Sequence, residues 1–435
     1  MRKEELFALL VCHWKESTVR SRMANALLLL YCPISSYLCR MRSFFYCIPL
    51  YLLFTHCQSP QVAPPNIAPK YTIQVDSNSL RLSQTFDRYF SQNMQQFNGI
   101  GAAVAIVKDS QIILLKGYGL RKYNTSDSID TKTVFRIGSL SKGFTGVLAG
   151  MMIHQNKLQW TDKVVKWIPD FSLRDRLQGK RIELRHLLSH TTGLPYHAYT
   201  NLVEDGYDLG SIVRNYFPQS PVCGKEGVFY AYQNAAFALS GRMLEAASGQ
   251  SFQDLITQKI FIPAQMPNTS CSYASIESNP NKAYPHQWSG YNWICEPISP
   301  AYYNVAEAGG INADISDMAQ WLKVVLGQRP DIVTNAVLDT VFSPVVKTGN
   351  ERRILGHWFG RDEASYAMGW RILENETDSI IYHSGYVNGY RSEIALDRKK
   401  GIGICVLFNG QTGLCGNCVQ DFFTMVKKID VGKKQ

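Results

Sequence analysis

The 435-residue chain is short of charge: Asp, Glu, Lys and Arg make up 18% of it, against 45% hydrophobic residues. That balance describes a globular protein rather than a disordered one. It also lacks any compact basic cluster interleaved with aromatic residues, so the formal net charge of +10 does not imply nucleic acid as a partner. Of that charge, +4 falls in residues 1–57, which carry seven Lys/Arg and three Asp/Glu, and +6 remains. Lys427-Lys428 and Lys433-Lys434 read as a solvated tail. Internal repeats are absent. The single Cys-x-x-Cys, "CGNC" (Cys415, Cys418), lacks the second pair or histidines of a structural zinc site, leaving a disulfide, a redox pair or a metal half-site, with a structural role favoured.

The first 57 residues do not read as part of a fold. Met41-Arg42 precedes the uncharged run "SFFYCIPLYLLF", which is the length of a secretory h-region and too short to span a bilayer comfortably. Residues 1–40 then read as an over-extended start and 41–57 as a signal peptide. The run "ANALLLLYC" leaves a longer anchor open as an alternative. Cys57 follows the h-region, as a lipidation site must, but the bulky His56 beside it argues against that modification. Four prolines in residues 58–70 mark an extended tether, giving a linker over 58–75 and a folded domain over 76–430. The expected location is periplasmic or exported, with membrane attachment through the leader or Cys57 as the open alternative.

Within the domain, a helix is expected over about Leu80–Phe97. "AAVAIV", the turn "KDS" and "QIILLK" predict a hairpin; "SEIALD", "RKKG" and "IGICVLFNG" predict a second, followed by a C-terminal helix. Cys405 in the last strand reads as a buried thiol. "SDMAQWLKVVLG" predicts a helix capped by Ser316 and stopped at Gly327. The fold class is therefore α+β: an antiparallel sheet of N- and C-terminal strands flanked by helices, with an inserted, mostly helical subdomain and a site in the cleft between them.

"FRIGSLSKGFTGVLAGMM" contains Ser139 and Lys142 at the start of a helix whose apolar residues Phe144, Val147, Leu148, Met151 and Met152 recur at helical spacing. Residues three apart share a helix face, and a desolvated lysine can take the proton that makes a serine nucleophilic. Tyr-x-Asn triplets include Tyr232/Asn234, Tyr302/Asn304 and Tyr386/Asn388. Only the first sits where a loop enters an amphipathic helix, "FYAYQNAAFALSGRMLEAASG". That junction is a good place to hold a tyrosine in a cleft.

With "FRIGSLSK" and "FYAYQN" come three further blocks in order: "IELRHLLSHTTGLP", "EAGGINADISDMAQWL" and "AMGWRI". Over roughly Leu80 to Val426 the chain resembles the class C β-lactamases, with the related serine DD-peptidases, D-aminopeptidases and esterases of the penicillin-recognising group. That family carries a third triplet on a strand beside the nucleophile, followed by a glycine-rich turn and a closing hairpin. "HSGYVNGYRSEIALDRKKGIGICVLFNG" has that context; "VVKTGNERRILGHW" has none of it, so Lys347-Thr348-Gly349 is expected to be a decoy for His383-Ser384-Gly385.

The resemblance implies these roles. Ser139 is acylated, Lys142 takes its proton or supports the Tyr232 phenolate, and Tyr232 shuttles a proton to the leaving group. Asn234, His383, Ser384 and Gly385 bind substrate, and the backbone N–H groups of Ser139 and Tyr386 form the oxyanion hole. No metal and no organic cofactor is implied. His383 stands where dedicated class C β-lactamases have Lys, and an imidazolium clamp would weaken as pH rises through about 6.5. His186 and His190, at i, i+4, suit packing better than zinc, since the Glu of a metalloprotease helix is missing. Trp370 and Tyr390 read as core. The function expected is an exported serine hydrolase acting on β-lactam or D-Ala-D-Ala-type amide bonds. An esterase, a D-aminopeptidase or a slowly deacylating penicillin-binding sensor or trap is the alternative.

Overall fold

The computed structural model describes residues 76–349, 363–375 and 378–431. The leader with Cys57, the proline-rich linker and residues 350–362 lie outside the described residues. In chain order the framework runs through helix α1 (Ser77–Gln96), strands β1 (Gly101–Lys108), β2 (Gln111–Gly119) and β3 (Phe135–Arg136), and helices α2 (Ser141–His154) and α3 (Asn234–Ser248). Strands β4 (His286–Trp288), β5 (Trp293–Cys295) and β6 (Asn312–Ala313) and helix α4 (Ile315–Val325) follow. The chain closes with β7 (Val346–Lys347), β8 (Glu363–Tyr366), β9 (Arg371–Glu374), β10 (Ser379–Val387), β11 (Tyr390–Asp397), β12 (Ile402–Phe408) and helix α5 (Cys418–Val431).

Eight strands form one antiparallel sheet in the order β2-β1-β12-β11-β10-β9-β8-β7. The two hairpins join through β1 and β12, with Ala102 opposite Phe408 and Lys108 opposite Ile402. Both faces of the sheet are covered, which is why these strands read as unbroken apolar runs rather than as alternating patterns. Ala102, Val104 and Ile106 pack with Phe86 and Phe90 of α1 and Phe422 and Val426 of α5. Their neighbours Ala103, Ala105 and Val107 join the larger core of the inserted helical region with Phe144 and Trp321.

Helix α1 begins three residues before the expected Leu80, because the Asp76 carboxylate accepts the N–H groups of Asn78 and Ser79 and satisfies two orphan donors. Helix α4 is likewise capped earlier than the sequence suggests. Asp314, not Ser316, accepts the Asp317 N–H at 2.7 Å, and the Ser316 hydroxyl instead donates to the Thr131 carbonyl. Gly327, at φ +83°, ends that segment as expected.

Helix α2 is wedged between α4 and the turn before β9. Phe144 stacks on Trp321 with ring centres 3.9 Å apart and planes 14° from parallel. On the other side a Cβ at Gly146 would stand 2.0 Å from the Met368 carbonyl oxygen, so only glycine permits this approach. Trp370 and Tyr390 are fully buried, in line with a core role, as is Cys405. The helix that carries Lys142 is therefore clamped on two sides before any catalytic residue is considered.

Candidate active site

Ser139 sits in a single 3-10 turn, Gly138–Leu140, at the mouth of α2. Gly138 has φ +51°, and the turn is fastened from three directions. The Ser141 hydroxyl donates to the Gly138 carbonyl (2.7 Å) and accepts the Ile311 N–H (3.1 Å), while the Ser392 hydroxyl of β11 donates to the Ile137 carbonyl (2.7 Å). Ser141 is thereby fully buried and committed, whereas Ser139 stays partly exposed. Ser141 is tied into the fold, and Ser139 is the more accessible of the two hydroxyls.

Lys142 is completely buried, with Nζ 3.2 Å from Ser139 Oγ, 2.8 Å from Asn234 Oδ1 and 2.7 Å from the Ala308 carbonyl oxygen. Among the described residues no carboxylate forms an ion pair with it. Burial first, and the Arg371 charge second, hold its pKa well below the ordinary 10.5. A neutral amine has two hydrogens and one lone pair. Asn234 Oδ1 and the Ala308 carbonyl can only accept, so they take both hydrogens, and the lone pair is left facing the Ser139 hydroxyl. A neutral amine so placed can take a proton from the Ser139 hydroxyl.

Tyr232 is buried against this amine, with Lys142 Nζ 4.7 Å from its ring centre. The Tyr302/Asn304 and Tyr386/Asn388 triplets do other work. Tyr302 donates to Glu204, and Asn304 holds the Val203 and Tyr207 carbonyls. Tyr386 lies on β10, where a Cβ on Gly385 would come 2.3 Å from the Ile137 carbonyl oxygen and 3.1 Å from the Ser139 nitrogen. A Cβ on Gly138 would in turn meet the Tyr386 nitrogen at 3.0 Å. Two glycines thus let the backbone nitrogens of Ser139 and Tyr386 belong to one close-packed crossing. The Tyr386 side chain stands exposed at the rim with the Arg391 guanidinium 4.5 Å from its ring centre.

His383 lies on β10 with no solvent exposure, its ring centre 6.4 Å from that of Tyr232. Its Nδ1–H donates to the Ser384 carbonyl at 2.8 Å. Nε2 faces the Tyr366 hydroxyl at 2.9 Å and Arg371 Nη1 at 3.4 Å. A guanidinium only donates, so Nε2 accepts and the ring is neutral. Burial first, then the Arg371 charge, holds its pKa well below 6.5, against a smaller opposing contribution from Ser384. The expectation of a clamp that titrates near about 6.5 is thus corrected: in the folded protein this imidazole stays neutral. The site's permanent cation is Arg371 on β9, buried, with its guanidinium carbon 5.5 Å from the ring centres of both Tyr232 and Tyr366.

Arg371, Tyr366 and His190 escaped the sequence reading as site residues. Arg371 follows the apolar stretch "AMGW", where a lone charge on a strand buried on both faces is itself a signal. His190 does pack, as expected, but against the site: its ring centre is 4.1 Å from that of Tyr232, and its Nδ1 accepts the Gln233 N–H. His186 is structural; its Nδ1 accepts the Glu183 N–H, and burial lowers its pKa to about 4. Lys347 lies exposed on β7 at the far edge of the sheet, three strands from β10. Among the described residues no group of three His, Cys, Asp or Glu side chains could hold a metal ion.

Comparison with known proteins gives the family and the fold. The Beta-lactamase family model matches residues 86–417. The chain is 26% identical over 369 residues to the unguisins hydrolase ungD' of Aspergillus campestris, covering 80% of this chain and 66% of that protein. It is 24% identical over 331 residues to Protein flp of Staphylococcus aureus (strain MW2), covering 75% and 63% respectively. It therefore spans just under two thirds of the length of these curated relatives. The octameric penicillin-binding protein homologue of Pyrococcus abyssi superposes with a TM-score of 0.69 at 22% identity, over 79% of this chain and 77% of that one. The chain belongs to the Beta-lactamase family of serine hydrolases and has its penicillin-binding-protein-like fold.

The electrostatics predict a specific pH behaviour. Activity that needs neutral Lys142 rises with pH through that group's depressed pKa. Arg371→Gln removes a charge that lowers it, so the rising limb of kcat/KM moves to higher pH. His383→Gln, which cannot titrate, leaves the limb in place, and Lys347→Ala stays within about threefold of wild type throughout, as expected of a surface change of about 0.5 kcal/mol. Loss of the limb in His383→Gln would reinstate a titrating histidine.

Proposed function

We propose that this member of the Beta-lactamase family acts through a Ser139 acyl-enzyme on the amide bond of β-lactams or D-Ala-D-Ala-type peptides. The observation that carries the reading is the buried Lys142 amine, 3.2 Å from Ser139 Oγ, with its two other hydrogen-bond partners both acceptors. Ser139 attacks the carbonyl as its proton passes to Lys142. The oxyanion is held by the Ser139 and Tyr386 N–H groups. As the intermediate collapses, the Tyr232 phenol protonates the leaving nitrogen, and the phenolate left behind then takes a proton from the water that releases the acyl group. Asn234 holds Lys142 and presents its remaining amide hydrogens to the substrate, while His383, Ser384 and Gly385 form the strand wall.

A second reading, an esterase or D-aminopeptidase of the same fold, is favoured by one specific feature. A neutral His383 gives a carboxylate-bearing β-lactam no charged clamp at that position. Rates with nitrocefin, a D-Ala-D-Ala peptide and p-nitrophenyl esters, compared at one enzyme concentration, separate the two readings.

A fluorophosphonate or fluorescent penicillin should label Ser139, and Ser139→Ala should abolish labelling while Ser141→Ala, if it folds, keeps it. An adduct located by peptide mass spectrometry on Ser141 or elsewhere contradicts the assignment.

Export through the leader belongs to the same proposal, with the mature chain periplasmic or exported and held to a membrane only if the leader or Cys57 is retained. N-terminal sequencing of the protein from its native host should begin near or after Cys57. A chain beginning at Met1 in the cytosol would contradict export.

A further inference from the structure

The "CGNC" stretch has no part in the hydrolase site, yet the fold gives it a surrounding of its own on the opposite face of the sheet. Cys418 is the first residue of α5 and is fully buried, whereas Cys415 is half-buried. The N–H groups of Asn417 and Cys418 both donate to the Leu414 carbonyl, at 3.3 and 3.1 Å, and Gly416 takes φ +85°. A turn wound this tightly brings residues three apart within the roughly 4.4–6.8 Å Cα separation that a disulfide spans. The two thiols sense each other, since Cys415 contributes to raising the pKa of Cys418.

A carboxyl group is enclosed with them. Glu393 of β11 is buried; its Oε1 accepts the Gly416 N–H at 2.5 Å, in the middle of the Cys-x-x-Cys turn, and its Oε2 accepts the Tyr382 hydroxyl at 3.2 Å. Burial pushes this carboxyl up to about 7, against the smaller effects of Gly416, Tyr382 and Arg391, so near neutrality it can both take and return a proton. No step of the hydrolase chemistry uses it. Tyr382 and Cys418 belong to the core layer of α1 and α5, whereas the third thiol on this part of the sheet, Cys405, packs into the other core.

We propose that Cys415 and Cys418 form a reversible thiol–disulfide exchange site at the start of α5, with Glu393 as its buried proton acceptor. A low-molecular-weight disulfide, RSSR, reaches Cys415 first, because that thiol is the more accessible. Cys415 Sγ loses its proton to solvent, bonds one sulfur of RSSR and expels the other as RS⁻, which is protonated to RSH. Cys418 then gives its proton to the Glu393 carboxylate and attacks Cys415 Sγ. This forms the protein disulfide and breaks the mixed one, and the second RS⁻ leaves and recovers a proton. In sum two protein thiols are oxidised and one RSSR is reduced to two RSH. Burial raises both thiols, Cys415 to about 11, so the resting dithiol is slow to react and the nearby base matters for the second step.

The test equilibrates the full chain with glutathione and oxidised glutathione at fixed ratios, alkylates free thiols and maps the peptides by mass. Under oxidising ratios the peptide holding Cys415 and Cys418 should lose two hydrogens and resist alkylation, and dithiothreitol should reverse the change. Cys418→Ser should accumulate glutathione on Cys415 as the mixed disulfide. Glu393→Gln should slow closure severalfold while leaving the equilibrium ratio unchanged. Both thiols alkylated at every ratio, or a disulfide from either to another cysteine, would overturn the site. Closure of Glu393→Gln at the wild-type rate would remove the carboxyl from it.

Discussion

An amine buried without a counter-charge is the constraint on which the rest of this structure depends. Desolvating an ammonium is costly, and with no carboxylate at ion-pair distance among the described residues, burial holds the Lys142 pKa well below its ordinary value. Everything around it fits that outcome. Two acceptors use the two amine hydrogens, and the guanidinium of Arg371 discourages a second positive charge. The clamping of α2 between Trp321 and the Met368 turn keeps the amine from swinging out to water.

The same low dielectric decides the state of the neighbouring rings. His383 and His190 are both held well below the ordinary histidine range, burial being the largest cause for each. In one pocket the fold therefore holds a lysine and two histidines whose pKa values are all depressed, beside one permanent cation. Arginine is the side chain suited to that last role, because its pKa is too high for burial to discharge it. Field strength that a dedicated β-lactamase draws from a lysine on β10 would here come from a guanidinium one strand away, on β9.

Much of this was legible because it is local. Ser139 and Lys142 share one turn, the hairpins announce themselves by apolar runs around short polar turns, and five ordered blocks point to one family. What escaped depends on contacts between distant segments. Arg371 reaches the site only because β9 pairs with β10, placing it opposite Tyr382. His190 meets Tyr232 because its Nδ1 accepts the N–H of Gln233, 43 residues further on. The charge state of His383 could not be read at all from its letter, since it is set first by burial and then by an arginine from another strand. Even the α4 cap went to Asp314 because Ser316 had a partner, the Thr131 carbonyl, that no local pattern reveals.

The central claim is that Lys142 is neutral in the resting enzyme and so able to act as a base. Direct titration of its amine tests this most closely, using NMR of lysine labelled at Nζ, with Lys142→Arg to assign the signal. The account predicts a Lys142 resonance that titrates well below the ordinary lysine range and moves upward in Arg371→Gln. A Lys142 amine that remains protonated up to about pH 10, as an exposed lysine does, would contradict it.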